Sequence, residues 1–390
     1  MRLIGPLQKC LMSAGLASVG LVSACGGAMP PQGQTPYAPS AGMSAVLAEH
    51  QAMRAKPLAG LSAEEAREVP TLVDADRAMY NVHGLPAPIT EVPDVRDLVA
   101  SGADVPLPAR LYRPSSSKDL PAIVFFPGDT WVTGSFDAAD ATARELAART
   151  GWVVVAIQTR LAPEAPFPAA HDDAFAAYQW ARAQMRGWGA DPTRVALVGE
   201  GTGANLALST AMLARDRQVP VPDHLLLITP RVGTSLDGAS MSENARSRPL
   251  TRRTVRWSQD EYAPERAERR DPRLDLQRRS DWAGLPPATV VLAEIDPMRS
   301  EGEALAERLL AAGPLRAGAP GVGTAAPVQT EARLFQGTAH GFFALGDTVP
   351  EAAMAEDYAA MRLKAAFYRP DLPVLRGPAR RARQRAPRHG

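Results

Sequence analysis

Seven short apolar runs alternate with amphipathic segments through most of this 390-residue chain, and that alternation leaves few folds open. ARLYR, PAIVFF, WVVVAIQ, RVALVG, HLLLIT, ATVVLAEI and ARLFQ are rich in β-branched, aromatic and aliphatic residues, and several are apolar without a break. Between them stand DAADATARELAART, DDAFAAYQWARAQM, ANLALSTAMLARDR, SEGEALAERLLAAG and EAAMAEDYAAMRLKAAF, whose apolar residues recur at helical spacing. A strand buried on both faces reads as a continuous apolar run, and helices between such strands imply a mostly parallel sheet covered on both sides. The expected class is α/β, with one large domain over 101–370; a composition 45% hydrophobic and 22% charged suffices for its core.

The flanking regions read differently. From 43 to 100 the segments AVLAEHQAMRA and SAEEAREVPTLVDADRAMY, broken by prolines, predict an N-terminal helical cap layer. Residues 230–281, dense in Arg, Asp and Glu with weak strand character, are expected to form a lid beside it. Residues 317–329, low in complexity between a helix and a strand, read as an exposed loop insertion. No internal repeats are visible.

At the N-terminus, Arg2 and Lys9 precede a short apolar stretch ending in small residues, the layout of a secretory signal over 1–24. That stretch is short for a membrane-spanning helix. Val22-Ser23-Ala24-Cys25 resembles the lipobox of bacterial lipoproteins, which implies lipidation of Cys25 and a membrane-anchored protein of the bacterial cell envelope. Of the two cysteines only Cys25 would then remain, so no disulfide is expected. Residues 25–42, rich in Pro, Gly and Gln, form the expected flexible tether. The tail 371–390 is basic and reads as a solvated end, with contact to anionic lipid as the functional alternative. A net charge of +1 supplies no general attraction to nucleic acid, and none is expected as a partner.

Val195-Ala196-Leu197-Val198-Gly199-Glu200-Gly201-Thr202-Gly203 then opens onto a helix-forming stretch, which is the strand, tight turn and helix layout of G-x-S-x-G. The central position is Gly201, which has no nucleophile. Centring the turn on Thr202 instead would put Glu200 and Ala204 where close backbone approach needs glycine, so Gly199 and Gly203 set the centre at Gly201. Thr202 is expected to open the following helix and cap it with its hydroxyl. His171, in PAAHDDAF, reads as a partly exposed helix residue and not a metal ligand, and the six histidines show no HxxEH or CxxC pattern. No metal and no cofactor are expected.

Arg160-Leu161-Ala162-Pro163-Glu164, Pro166-Phe167-Pro168-Ala169-Ala170, the Trp131 loop, GLPPATVVLAEIDPMRSEGEA and Ala339-His340-Gly341-Phe342-Phe343 together resemble the hormone-sensitive-lipase-like esterases, the α/β-hydrolase fold-3 branch. The resemblance runs from about Leu58 to Tyr368. It implies an α/β-hydrolase fold with a helical cap, action on short acyl esters, and no cofactor. Asp296, in Asp296-Pro297-Met298-Arg299-Ser300-Glu301, would be the triad acid and His340 the base, in the chain order nucleophile, acid, base. A carboxylate there would fix the imidazole tautomer and stabilise the imidazolium. Arg160 and Glu164 would be scaffold, and Trp131 would flank the acyl pocket. Where the family has H-G-G-G-W for its oxyanion-hole loop, this chain reads Pro127-Gly128-Asp129-Thr130-Trp131. Gly128, Asp129, Thr130 and the Thr202 amide would make up that region, with the carboxylate of Asp129 opposing developing negative charge and Thr130 poorly suited to a positive φ.

Three functions follow from this reading. The first is an envelope-anchored, catalytically degenerate esterase-like protein that binds a small acyl-ester-like ligand. The second is a slow carboxylic ester hydrolase in which His340 and Asp296 activate a water in the space left by Gly201. The third is an electrostatic tether acting through the arginine-rich tail.

Overall fold

The chain's computed structural model describes residues 35–82, 84–128, 130–313 and 328–368. The signal over 1–24, Cys25, most of the tether, Asp129, nearly all of the 317–329 insertion and the basic tail lie outside the described residues. Among the described residues no helix is long and apolar enough to cross a membrane.

Eight strands form one sheet in the order β1-β2-β4-β3-β5-β6-β7-β8. They are β1 (Asp94–Ser101), β2 (Pro106–Arg113), β3 (Leu120–Phe126), β4 (Val153–Ile157), β5 (Ala190–Glu200), β6 (His224–Ile228), β7 (Ala288–Ile295) and β8 (Glu331–Ala339). β1 pairs with β2 and β2 with β4 antiparallel, while every other pairing is parallel. β3 and β4, apolar throughout, are buried on both faces. Successive side chains of a strand point to opposite faces, so Val124 enters one core and Ile123 and Phe125 the other.

The sheet carries helices on both faces. α5 (Ala169–Gln184), α6 (Thr202–Asp216) and α9 (Arg299–Ala312) fill the first core, and α4 (Phe136–Thr150) and α10 (Pro350–Ala366) the second. The lid stretch holds α7 (Ala239–Glu243), α8 (Arg252–Tyr262) and short 3-10 turns, without a strand. The N-terminal layer holds α1 (Ala41–Ala52), α2 (Ala63–Arg67) and α3 (Leu72–Val82). It is not wholly helical as expected, because β1 lies inside it. DVRDLVAS is an edge strand with half of its residues exposed, so it lacks the apolar run that marks the inner strands.

Residues ahead of α1 form a strap over the C-terminal ends of the last strands. Thr35 Oγ1 donates to Asn244 Oδ1 at 2.7 Å, Arg299 Nη2 donates to Tyr37 Oη at 3.2 Å, and the Ser40 amide donates to the Gly337 carbonyl at 2.9 Å.

Packing of α4 on α10 buries a carboxylate. Glu356 is 2% exposed and meets the Arg149 guanidinium at 2.6 Å. Burial, helped by the neighbouring Glu145, pushes its pKa from 4.5 up to about 8 against the pull of Arg149. An acid whose folded pKa lies above its unfolded value destabilises the fold as pH rises through that interval. The native protein is expected to lose melting temperature between about pH 4.5 and 8, and Glu356→Gln to lose less; equal slopes in calorimetry would contradict this.

Candidate active site

The strand order reverses about β3, since β4 lies on one side of it and β5 on the other. Ligands of open α/β sheets bind in the crevice at such a point, beyond the carboxyl ends of the strands. Three glycines close the backbone there. A Cβ on Gly199 would stand 2.2 Å from the Gly203 carbonyl oxygen, one on Gly203 2.0 Å from the Phe126 oxygen, and one on Gly128 2.0 Å from the Gly203 nitrogen. No side chain fits at any of the three, which is the physical content of the Gly199/Gly203 register inferred from the sequence.

Gly201 stands alone between β5 and α6 with φ 54 and ψ −117, a conformation that L side chains adopt only under strain. Its amide donates to the Ile228 carbonyl and its carbonyl accepts from the Arg231 amide, both at 2.9 Å. Thr202 opens α6 as expected, but its capping role is overturned: the cap position is Gly201, and no side chain caps the helix. The hydroxyl sits one residue too late to reach back over the first turn.

Asp296 follows β7 and His340 follows β8, so two adjacent parallel strands deliver acid and base to the same end of the sheet. His340 Nδ1 lies 2.9 Å from Asp296 Oδ2, with the residues 6% and 1% exposed. The Met298 amide donates to Asp296 Oδ1 at 2.8 Å, and Asn244 Nδ2 donates to the Asp296 carbonyl at 3.3 Å. Held this way, the carboxylate accepts the Nδ1 proton and leaves Nε2 as the basic nitrogen.

A cavity of about 460 Å³ opens beside this pair. Its walls include Leu58, Leu72, Phe125, Ala139 and Leu250, and His340, Gly128 and Glu200 line it with them. Glu200 went unremarked as a site residue in the sequence, although its place immediately before the turn could have marked it. Its Oε2 lies 3.5 Å from Thr142 Oγ1, so a carboxylate stands within the cavity next to Gly201.

The loop from Thr130 to Thr133 departs from expectation. Thr130 is a buried turn residue whose Oγ1 lies 2.9 Å from Thr133 Oγ1 and accepts from the Val132 and Thr133 amides. The left-handed φ of this loop falls on Trp131, at 62°, and not on Thr130. Trp131 is packed in the core, its ring stacked 4.8 Å from Tyr262.

His171 is a correction. It is 4% exposed, with Nδ1 2.7 Å from Tyr262 Oη and Nε2 2.9 Å from Asn205 Oδ1. Burial lowers its pKa to about 4, so it is neutral at pH 7 and ties α8 to α6. Its polar neighbours in sequence hid the fact that α5 turns this position inward. Among the described residues no group of three or more His, Cys, Asp or Glu could hold a metal ion. Arg160 bridges Asp173 at 2.8 Å and Asp104 at 2.9 Å, and Glu164 meets Arg67 at 2.6 Å, both at loops that frame the sheet.

A buried ion pair supports the whole corner. Arg231 donates to Glu301 Oε1 at 3.0 Å, and the Gly233 amide and Gln277 Nε2 donate to Oε2 at 3.0 and 3.1 Å. Through its own amide Arg231 holds Gly201, so this pair braces the turn from behind.

A family model described as alpha/beta hydrolase fold matches residues 123–344. A carboxylic ester hydrolase, LipN, of Mycobacterium tuberculosis is 37% identical over 235 residues, 59% of this chain and 62% of that protein. The carboxylesterase NlhH of the same species is 33% identical over 274 residues, 67% of this chain and 79% of its own length. A hyperthermophilic esterase from the archaeon Pyrobaculum calidifontis superposes with a TM-score of 0.73 at 28% identity, over 84% of this chain and 98% of that one.

Proposed function

We propose, for a chain that belongs to the alpha/beta hydrolase fold family, that its cavity binds small acyl-ester-like ligands without attacking them. Gly201 carries this reading. It stands at the centre of the turn, where the family resemblance puts the nucleophile, and it has no side chain. The cavity, the Asp296–His340 pair and the three close-packed glycines support an acyl-ester site, and the altered loop at Gly128-Asp129-Thr130, like Gly201, weighs against turnover in it. Loss of the nucleophile in a comparable triad costs roughly a million-fold in rate, which leaves binding as the principal role. The lipobox-like Cys25 supports an envelope-anchored setting for that role.

The 2.9 Å contact between His340 and Asp296 favours a second reading. His340 Nε2 would take a proton from a water as its oxygen attacks the acyl carbonyl, then return that proton to the departing alkoxide, releasing acid and alcohol.

Hydrolysis of a short p-nitrophenyl acyl ester by the native chain and by His340→Ala separates the two. The binding reading expects release no faster than in buffer, together with calorimetric binding of an uncleavable ketone analogue. Turnover abolished by His340→Ala selects the second reading. Turnover indifferent to that change, or a native chain that binds no analogue, sinks the respective claim.

A further inference from the structure

Between Glu243 and Asp260 the chain carries five arginines and no acidic residue. Among the described residues only Arg252 of these is ion-paired, to Asp237 at 3.6 Å. Arg246, Arg248, Arg253 and Arg256 are exposed. The same stretch builds one wall of the cavity, since Pro249, Leu250 and Thr254 line it. Arg248 adjoins Pro249 in the chain, and Arg253 precedes Thr254. Arg253 Nη2 lies 3.7 Å from where a Cβ on Gly60 would stand, so this side chain reaches the N-terminal layer. From that layer Lys56 lines the cavity. Arg256 stands three residues beyond Arg253 in α8, on the same side of the helix.

Of the opposing charges, the exposed Glu65 acts electrostatically on Lys56, which leaves the arginines as the rim's main cations. Arg67 is engaged by Glu164 and by the Val132 and Ala162 carbonyls. Glu68 is an exposed acidic residue of the cavity lining, and Glu200 stands inside next to Gly201. The exposed arginines beside this wall attract an anionic group, while the apolar walls accept an acyl chain.

Resting on the acyl-cavity reading above, we propose that Arg248 and Arg253, with Lys56 opposite, form a cationic rim that selects acyl esters bearing an anionic group, a phosphate foremost, on the alcohol side. Arginine suits this because its planar fork binds phosphate oxygens in pairs. The ligand would lie with its acyl part toward His340 and its charged end between the lid and the N-terminal layer.

Ether analogues avoid any turnover. Calorimetry on the full chain at low salt compares 1-O-butylglycerol 3-phosphate, neutral 1-O-butylglycerol and inorganic phosphate. The phosphate ether is expected to bind at least about tenfold more tightly than the neutral one. That preference should shrink several-fold when salt shortens the Debye length to roughly 3 Å at 1 M. Arg248→Glu with Arg253→Glu is expected to abolish the preference and leave the neutral ether unchanged. Equal affinity of the two ethers, or a preference insensitive to salt, overturns the rim and leaves the acyl cavity standing. Inorganic phosphate binding as tightly as the phosphate ether overturns it too, because the site would then be independent of the acyl chain. Loss of binding to vesicles of anionic phospholipid in the double variant, with both ethers binding alike in the native chain, would make the stretch a membrane seat instead. Failure of both ethers to bind overturns the acyl cavity, and the rim with it.

Discussion

Gly201→Ser is expected to turn the chain into an esterase, raising p-nitrophenyl ester hydrolysis by on the order of a thousandfold or more above the native protein. The serine Oγ would attack the acyl carbonyl, its proton passing to His340 Nε2 while Asp296, 2.9 Å from Nδ1, stabilises the imidazolium. The alcohol leaves with that proton, and water then releases the acid by the same exchange. The gain should fall short of the million-fold figure for an intact triad, because the loop containing Gly128 carries Thr130 in place of a further glycine and Glu200 adds negative charge beside the turn. A φ of 54 also imposes strain of about 1–3 kcal/mol on any side chain at this position. Adding His340→Ala to Gly201→Ser should return the rate to the native level. If Gly201→Ser folds, binds the ketone analogue and remains inert, then the acid and base are not poised for catalysis.

Arg231→Met should cost about 3–5 kcal/mol of stability near neutral pH, because it leaves the Glu301 carboxylate buried without its cation. Arg231 is 2% exposed and Glu301 9%. Burial raises the Glu301 pKa, and Arg231 together with the Gly233 amide opposes that rise. Removing the guanidinium removes part of the opposition, so the folded pKa climbs further above the unfolded one. The penalty should then grow as pH rises above the ordinary carboxylate range and shrink as the acid is protonated below it. Denaturant titration at pH 5 and pH 8 reads this directly. A loss under about 1 kcal/mol at both values would show that the pair does not brace the turn.

The parts of this molecule that the chain announces are those whose chemistry is local. β3 and β4 are apolar on both faces, so each reads as an inner strand without knowledge of its partners. Gly199 and Gly203 exclude other centres for the turn through their spacing alone, and Asp296 and His340 sit in short motifs at strand ends. What stayed hidden depends on distant residues or on one-residue offsets. β1 is half solvent, so it lacks the mark of a buried strand. His171 is buried because Tyr262 and Asn205, far along the chain, take both ring nitrogens. Arg231 and Glu301 are 70 positions apart and look like two ordinary surface charges until the sheet brings β6 and β7 together. Thr202 is a residue type favoured at helix starts, and only the backbone shows that Gly201 already occupies the cap.

The strap over the last strands has a consequence for the order of synthesis. Thr35 pairs with Asn244 across 209 positions, and Tyr37 with Arg299 across 262. Asn244 in turn holds the carbonyl of Asp296, and Ser40 rests on Gly337 just ahead of His340. Segments that must wait for remote partners gain contacts only after a long loop has closed. As the ribosome delivers the chain, Thr35, Tyr37 and Ser40 emerge early yet cannot settle until β7 and β8 have followed. This early-made segment is therefore among the last to be seated, and its arrival ties down the stretches that follow β7 and end β8.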